Sequence, residues 1–214
     1  TEPIGMDAVP YGVLGEGTGG RLANEPDEET AFVDPAGLLY IQEFGPSGAG
    51  GAARVIYRWL GIDSNEAFPD EVRDAITETL QAKFHAYGED GSKKCIHVVG
   101  PNFGIERYTA DEAVEELATA YLNVFTEFCK SKLKVLRLLP ISGGIFSGPF
   151  KPRIATLSAN AIVVAYERLD EDQKRHMQQS KKQMCIFDGR EVDEFQQAFR
   201  AGGILVDSQA ASAL

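Results

Sequence analysis

Short apolar runs alternate with helix-like stretches along most of this 214-residue chain. The runs are rich in valine, isoleucine, leucine and phenylalanine, are bounded by glycine, proline or aspartate, and lie at 30–34, 94–100, 134–142 and 183–189. This composition is typical of buried strands. Strands separated by helices are joined by right-handed crossovers, which make them parallel and cover both faces of the sheet. The pattern therefore predicts an α/β fold, a three-layer α/β/α sandwich around a mixed, mostly parallel sheet.

Helix start and stop signals occur between these runs. Pro69 and the acids after it open a stretch that ends at Gly88, which predicts one long helix there. Thr109 and Glu112 have the spacing of a capping box, in which each residue satisfies a backbone N–H of the other. The predicted helices are 52–61, 69–88, 109–132, 153–169 and 191–202.

The length suits one domain with a single core. Residues 1–29 are poor in apolar side chains, so they are predicted to form an N-terminal extension with room for one edge strand. The domain itself is expected to cover 30–206. The end of the chain, 207–214, is small and polar and is predicted to fray.

The charge balance argues against a broad nucleic-acid surface. The net charge is −11, and a chain that holds many phosphates needs an extended basic face. One basic stretch, 174–182, is interpreted as a solvated helix end and loop, because charge runs usually face water. An RNA contact at this stretch stays open as the lesser alternative.

The cysteines and the hydropathy of the chain indicate the cellular compartment in which the protein is expected. Cys95, Cys129 and Cys185 are widely separated in apolar surroundings, which favours buried reduced thiols over a disulfide framework. No apolar run reaches the roughly 18 to 20 residues of a membrane span, and the start of the sequence lacks a signal-peptide pattern. We therefore expect a cytoplasmic or nuclear protein with no membrane contact; a targeting segment upstream of this sequence stays open.

No metal or cofactor is predicted. The histidines, at 85, 97 and 176, have no metal-ligand spacing with each other or with the cysteines. Gly15, Gly17 and Gly20 match the G-x-G-x-x-G spacing of dinucleotide-binding folds, but no helix pattern follows them, so they are interpreted as a loop. The chain contains neither a Walker loop nor a complete G-x-S-x-G motif.

Two other glycine loops have the context of a ligand site. Gly48, Gly50 and Gly51 directly precede the predicted helix 52–61, so its N-terminal N–H groups and dipole would favour an anion. The second loop, 142–146, follows a predicted central strand, and ligands of open α/β sheets bind at such strand ends. Side by side, the loops could hold two phosphates, although tight turns would explain the same glycines.

The order of the predicted strands, helices and glycine loops along the chain resembles that of the macrodomain family, the ADP-ribose-binding α/β/α module. The stretches that carry the resemblance are AFVDPAG (31–37), GAGGAARVIYRWLG (48–61), CIHVVGP (95–101) and LPISGGIFSGP (139–149). The similarity extends over roughly 30–200. It implies binding of ADP-ribose, a related nucleotide diphosphate or an ADP-ribosylated protein, and leaves the oligomeric state open.

The resemblance also implies roles for individual residues. Phe187 matches the aromatic residue that stacks on adenine in many members, although a core position would explain it equally well. The phosphate loops would be Gly50, Gly51 and Ala52 on one side, and Ser142, Gly143, Gly144, Ile145 and Phe146 on the other, with the latter also packing on the distal ribose.

Departures from the family pattern fall on the positions linked to hydrolysis. The family's two asparagines are replaced by Asp34 and Gly37, and the aspartate of many hydrolytic members is replaced by Ala53. Without these side chains nothing obvious positions a water, so the sequence predicts no catalytic residue and binding without efficient hydrolysis. Glu16 alone is placed to read the adenine amino group, at a longer spacing than usual.

Three questions stay open from sequence. Arg54 could pair with a phosphate or fill the pocket by turning toward Asp34. The chain could be an ADP-ribosyl hydrolase that uses nonstandard residues such as Asp34. It could also be a degenerate member that serves as a protein or RNA interaction surface.

Overall fold

One mixed sheet runs through the computed structural model, which describes residues 2–207. The strands are β1 (Asp7–Val9), β2 (Glu16–Gly17), β3 (Gly20–Arg21), β4 (Thr30–Ala36), β5 (Ala82–Tyr87), β6 (Lys93–Val99), β7 (Val135–Leu138) and β8 (Lys181–Cys185). Six of them form the sheet in the order β1-β8-β7-β4-β6-β5, in which all neighbours are parallel except β5 and β6. Strands β2 and β3 form a separate hairpin.

Helices cover both faces of this sheet. They are α1 (Gly51–Leu60), α2 (Asp70–Ala75), α3 (Ala110–Ser131), α4 (Ile154–Glu167), α5 (Glu171–Gln179) and α6 (Val192–Gly202). The pleat of β4 directs Ala31 and Val33 into the core with α3, α4 and α6, while Phe32 packs with α1 and α2. The predicted three-layer α/β/α fold is confirmed, as is the capping box of Thr109 and Glu112.

The predicted long helix at 69–88 is wrong in its second half. Helix α2 ends at Ala75, and β5 follows as the antiparallel edge strand. The side-chain oxygen of Gln81 accepts hydrogen bonds from the N–H groups of Thr77 and Glu78, at 2.8 and 3.1 Å, in place of a helical carbonyl. Leu80 then adopts a positive φ of 72°, which a helix excludes. Pairing with β6 therefore overrides the local helix signal.

The N-terminal residues join the edge of the sheet. Strand β1 pairs in parallel with β8, and the buried Arg137 of β7 donates to the carbonyl oxygens of Val13 and Asn24, both at 2.9 Å. At the other end of the chain, the N–H of Asp207 donates to the Asp7 carboxylate at 2.8 Å. The rest of the predicted frayed tail, 208–214, lies outside the described residues.

The basic stretch 174–182 does not form a continuous basic surface. It covers the end of α5, where Lys174 and Arg175 pair with acids of the preceding turn at 3.4 and 2.9 Å. Lys182 is buried in β8, where its Nζ donates to the carbonyls of Met177 and Ser180, and burial lowers its pKa to about 8. The interpretation as solvated surface therefore fails for Lys182. Within residues 2–207, no helix is long and apolar enough to cross a bilayer.

All three cysteines are buried and free, so we expect them to be unreactive in the folded protein. Burial raises the pKa of Cys129 to about 11 and of Cys185 to about 12, and it raises the pKa of Cys95 well above its usual value. At pH 8 each therefore remains a protonated thiol, which is a poor nucleophile. A chromogenic disulfide reagent should label none of them in native buffer and all of them in concentrated urea. Rapid stoichiometric labelling of folded protein would contradict this burial.

Candidate ligand-binding site

A cavity of about 830 Å3 lies at the carboxyl ends of the central strands. Its lining includes Phe187 after β8, Pro140 after β7, Gly37 after β4 and Gly100 after β6, together with the start of α1. This is the edge of an open α/β sheet at which ligands bind. The structure brings the following sequence-predicted residues together around it: Asp34, Gly50, Gly51, Ala52, Ser142, Gly143, Gly144, Ile145, Phe146 and Phe187.

The N-terminus of α1 offers backbone donors to this cavity. The first helical hydrogen bond runs from the N–H of Arg54 to the Gly50 carbonyl at 3.4 Å, so the N–H groups of Gly51, Ala52 and Ala53 precede it. No side chain caps this helix end. A Cβ added to Gly50 or Gly51 would meet no atom within 4 Å, so the approach to these donors is open. Uncapped N–H groups and the helix dipole together favour an anion.

Internal hydrogen bonds hold the second loop in shape. Ser142 has a positive φ of 57°, and its hydroxyl donates to the carbonyl of Pro101 at 2.6 Å. The N–H of Gly143 donates to the carbonyl of Pro140 at 3.0 Å. A Cβ on Gly100 would lie 2.5 Å from Ser142 Oγ, so the close approach of this loop requires glycine there. The Ser142 hydroxyl proton and the Gly143 N–H are thus already engaged within the protein.

The backbone N–H groups of the second loop that can donate to a ligand lie just after Gly143. Residues Ile145–Arg153 form two short 3-10 segments on either side of a kink at Gly148, and the first hydrogen bond runs from the N–H of Ser147 to the Gly144 carbonyl at 3.1 Å. The N–H groups of Ile145 and Phe146 precede that bond and lack a side-chain cap. A Cβ on Gly144 would also meet open space. Lys151 lines the cavity here, with its Nζ 3.2 Å from the Gly143 carbonyl, and adds positive charge.

Phe187 forms an exposed wall at the β8 end of the cavity. Its side chain is 54% exposed, which excludes the alternative that it is a core residue. Glu191 and Glu194 line the same end. Glu16, proposed from sequence as the adenine-reading acid, instead lies on the exposed β2–β3 hairpin, 3.2 Å from Arg21, and is absent from the cavity lining.

Arg54 does not fill the cavity. Its side chain is exposed on α1 and is not part of the cavity lining. The carboxylate of Asp34 is engaged by other partners, so the alternative in which Arg54 turns toward Asp34 does not hold in this structure. A contact between Arg54 and a bound phosphate stays a prediction.

A buried polar chain supports the floor of the cavity. Asp34 is 1% exposed, and its Oδ2 accepts a hydrogen bond from the hydroxyl of Tyr57 and lies against Nδ1 of His97, both at 2.8 Å. The other ring nitrogen of His97, Nε2, lies 2.7 Å from the hydroxyl of Tyr87. Burial raises the pKa of both tyrosines, and the Asp34 charge raises that of Tyr57 further, so both phenols remain protonated. Buried polar groups need such partners because an unpaired one is costly.

The family model named "Macro domain" matches residues 45–156, which is more than half of the chain and includes both loops. The chain belongs to the macro domain family. Its fold is also that of solved macrodomains. A structure entitled "Oceanobacillus iheyensis macrodomain with ADP" has a TM-score of 0.56 and 19% identity, and the match covers 89% of this chain and 88% of that one.

Two further structures extend this comparison. The Trypanosoma brucei macrodomain in complex with ADP-ribose has a TM-score of 0.51 and 17% identity, with 90% of this chain and 67% of that one covered. A structure entitled "Alphavirus P23pro-zbd" has a TM-score of 0.55 and 22% identity over 86% of this chain. This macro domain spans only 23% of that alphavirus chain. No curated protein matches the sequence.

The departures from the family pattern at Gly37 and Ala53 have a structural counterpart in this macro domain. A Cβ on Gly37 would lie 3.3 Å from the ring of Tyr40 and 3.7 Å from the ring of Phe146. The space next to Gly37, where the family pattern has an asparagine, is therefore taken by aromatic rings. Ala53 also lines the cavity and offers only a methyl group. Within residues 2–207, no cluster of histidine, cysteine or acidic side chains is arranged to hold a metal ion.

Tyr57 and His97 were not predicted from the sequence as neighbours of Asp34. A histidine inside the apolar run 94–100 was the available signal, because a polar side chain in a buried strand needs a partner. Its partner depends on the register of β4 and β6, which places Asp34 opposite His97. Tyr40 and Lys151, which also line the cavity, carried no comparable signal.

Proposed function

We propose that this macro domain binds ADP-ribose or a related nucleotide diphosphate in the cavity, without efficient hydrolysis. The observation that carries the proposal is the convergence of two uncapped sets of backbone N–H groups, at the start of α1 and at Ile145 and Phe146, on one cavity. Two such sets suit the two phosphates of a diphosphate. The volume, about 830 Å3, lies in the range of small-molecule sites.

The order of the strands indicates how the ligand would lie. Neighbouring strands are about 4.8 Å apart, and β8, β7 and β4 are consecutive in the sheet. Phe187 follows β8, and its exposed ring suits stacking on a base. The second loop follows β7, and the helix α1 is entered from β4. A base at Phe187 would therefore place the diphosphate between the two loops. The related macrodomain structures that hold ADP and ADP-ribose support a nucleotide diphosphate as the ligand.

Binding is favoured over hydrolysis because the cavity offers no free side chain to position a water at the positions of Gly37 and Ala53. A hydrolase that uses Asp34 is the second candidate, since this carboxylate lines the cavity. Release of label from an ADP-ribosylated protein, lost in an Asp34→Ala variant that remains folded, would establish the hydrolase instead. The proposed ligand is either free ADP-ribose or the same group attached to a protein. A location in the cytoplasm or nucleus stays a prediction.

Isothermal titration tests the binding proposal directly. We expect ADP-ribose to saturate the protein at one ligand per chain with a Kd below about 100 µM, equivalent to more than about 5.5 kcal/mol of binding free energy. Adenosine, which lacks the diphosphate, should bind much more weakly because it cannot use the N–H groups of either loop. Absence of heat with folded protein and high micromolar ADP-ribose would refute the proposal.

A further inference from the structure

Exposed apolar side chains form a band along one side of the cavity mouth. Its members are Phe44, Tyr40, Phe146, Ile145 and Ile105, and we call them the apolar band. Ile145 is 97% exposed, Ile105 80% and Phe44 54%. Four of the nine large apolar side chains that are exposed in residues 2–207 belong to it. Single exposed apolar residues are normal, whereas adjacent ones mark a surface that contacts another molecule.

The aromatic half of the apolar band is continuous. The rings of Tyr40 and Phe44 meet edge to face, with their centroids 5.6 Å apart. A Cβ on Gly37 would lie 3.3 Å from the ring of Tyr40 and 3.7 Å from the ring of Phe146. These two rings therefore flank the same glycine and connect Phe44 to the second loop.

The aliphatic half consists of two loops that lie side by side. The N–H of Phe103 donates to the carbonyl oxygen of Phe146 at 2.9 Å. A Cβ on Gly104 would lie 3.9 Å from the carbonyl oxygen of Ile145, so the next residue, Ile105, is a neighbour of Ile145. Neither isoleucine belongs to a hydrophobic core of the domain. Their side chains therefore gain no burial energy in the protein by itself.

The apolar band lies where the far end of the proposed ligand would leave the cavity. With the base at Phe187 after β8, the diphosphate lies between the loop after β7 and the start of α1, and the next strands in the sheet are β4 and β6. Tyr40 follows β4 in the chain, and Ile105 follows β6. A group attached to the far end of the ligand would therefore emerge beside the apolar band.

The chemistry of the apolar band favours a polypeptide over a nucleic acid. Isoleucine side chains pack well against aliphatic and aromatic side chains, but they offer no flat ring on which a base could stack. Exposed acids flank both ends of the band, Glu43 beside Phe44 and Glu106 beside Ile105, and Arg107 balances only one of them. Carboxylates at these positions would repel the phosphates of a polynucleotide.

We propose that the apolar band is a docking surface for a polypeptide that carries the nucleotide diphosphate group, and that it contacts apolar side chains next to the modified residue. The inference rests on the proposed nucleotide-binding function. It adds to that function a preference for attached over free ligand and for an apolar flanking sequence.

Isothermal titration with matched peptides tests this preference. Free ADP-ribose is compared with two synthetic peptides that carry ADP-ribose on one serine through an uncleavable linkage. The first peptide has leucines at the two positions on each side of the modified serine, and the second has serines there. We expect the leucine peptide to bind at least about tenfold more tightly than the serine peptide, because the leucines bury apolar area against the band.

Two variants test whether the apolar band causes this difference. Ile105→Asn and Phe44→Asn each remove an exposed apolar side chain that is absent from the cavity lining. Each should reduce the advantage of the leucine peptide to about threefold or less and leave the Kd of free ADP-ribose unchanged. The matched control is Leu22→Asn, at a 55% exposed position next to the β2–β3 hairpin, which should keep the full advantage. Melting temperatures of all three variants check their folding.

The outcomes separate this inference from the function on which it rests. If free ADP-ribose does not bind to the folded protein, the nucleotide-binding proposal falls and the docking surface falls with it. If free ADP-ribose binds but the two peptides bind equally well, only the docking surface is overturned. A leucine advantage that persists in both the Ile105→Asn and Phe44→Asn variants would overturn it as well.

Two further measurements examine other occupants of the apolar band. An RNA oligonucleotide that carries ADP-ribose at its 5′ end should bind no more tightly than free ADP-ribose, and a larger gain than that of the leucine peptide would assign the band to nucleic acid and overturn the proposal. Analytical ultracentrifugation should give the same mass for the unmodified protein and for Ile105→Asn. A dimer that becomes a monomer in this variant would show that a second copy covers the band, which would also overturn the proposal.

Discussion

Replacement of Gly50 by leucine should weaken ADP-ribose binding at least about 100-fold, equivalent to about 2.7 kcal/mol. Gly50 lines the cavity at the N-cap of α1, where φ is −119° and ψ is 178°, an extended conformation open to any residue. A Cβ there meets no protein atom within 4 Å, so the leucine would fill open space at the N–H donors of the helix. Stability should fall by only about 1 kcal/mol, a typical effect at a helix N-cap, where leucine is less favourable than glycine.

The control for this variant is Gly19→Leu. Gly19 lies in the exposed turn of the β2–β3 hairpin, where an added Cβ also meets nothing within 4 Å, and it is absent from the cavity lining. Isothermal titration and thermal unfolding of both variants separate blocked binding from lost folding. Unchanged affinity in Gly50→Leu would mean that the ligand does not lie at the start of α1.

His97→Ala should lower the free energy of unfolding by about 4 kcal/mol, the largest effect on stability that we expect from one substitution in the described residues. His97 is fully buried and joins Asp34 to Tyr87. Its loss leaves a cavity, removes one partner of a buried carboxylate and leaves the Tyr87 hydroxyl without an acceptor. Urea denaturation followed by the fluorescence of the single tryptophan, Trp59, measures the change.

His85→Ala provides the comparison within the same layer of the fold. His85 lies on the edge strand β5 and pairs with the exposed Glu71 at 3.0 Å. A partly exposed pair of this kind contributes about 1 kcal/mol or less. Similar midpoints for the two alanine variants would show that the buried chain of polar groups is not a main source of stability.

Sequence patterns predicted most of the fold because their causes are local. Buried strands require contiguous apolar residues, and helix starts require caps, as at Thr109 and Glu112. The failure at 69–88 has the opposite cause. Residues 82–87 follow a helix-like pattern, but the open edge of β6 pairs with them, and the Gln81 side chain satisfies the N–H groups that a helix would have used. A long-range contact outweighed a local preference.

The sequence by itself determined the two glycine loops and their position after a strand or before a helix, because glycine spacing and strand ends are local features. Only the tertiary structure decided what surrounds them. It seats Tyr40 against Gly37, keeps Arg54 outside the cavity and pairs Asp34 with His97. These contacts join residues that are far apart in the chain, or depend on how a loop packs on the sheet. Strand register and packing determine such contacts, and no local pattern encodes either of them.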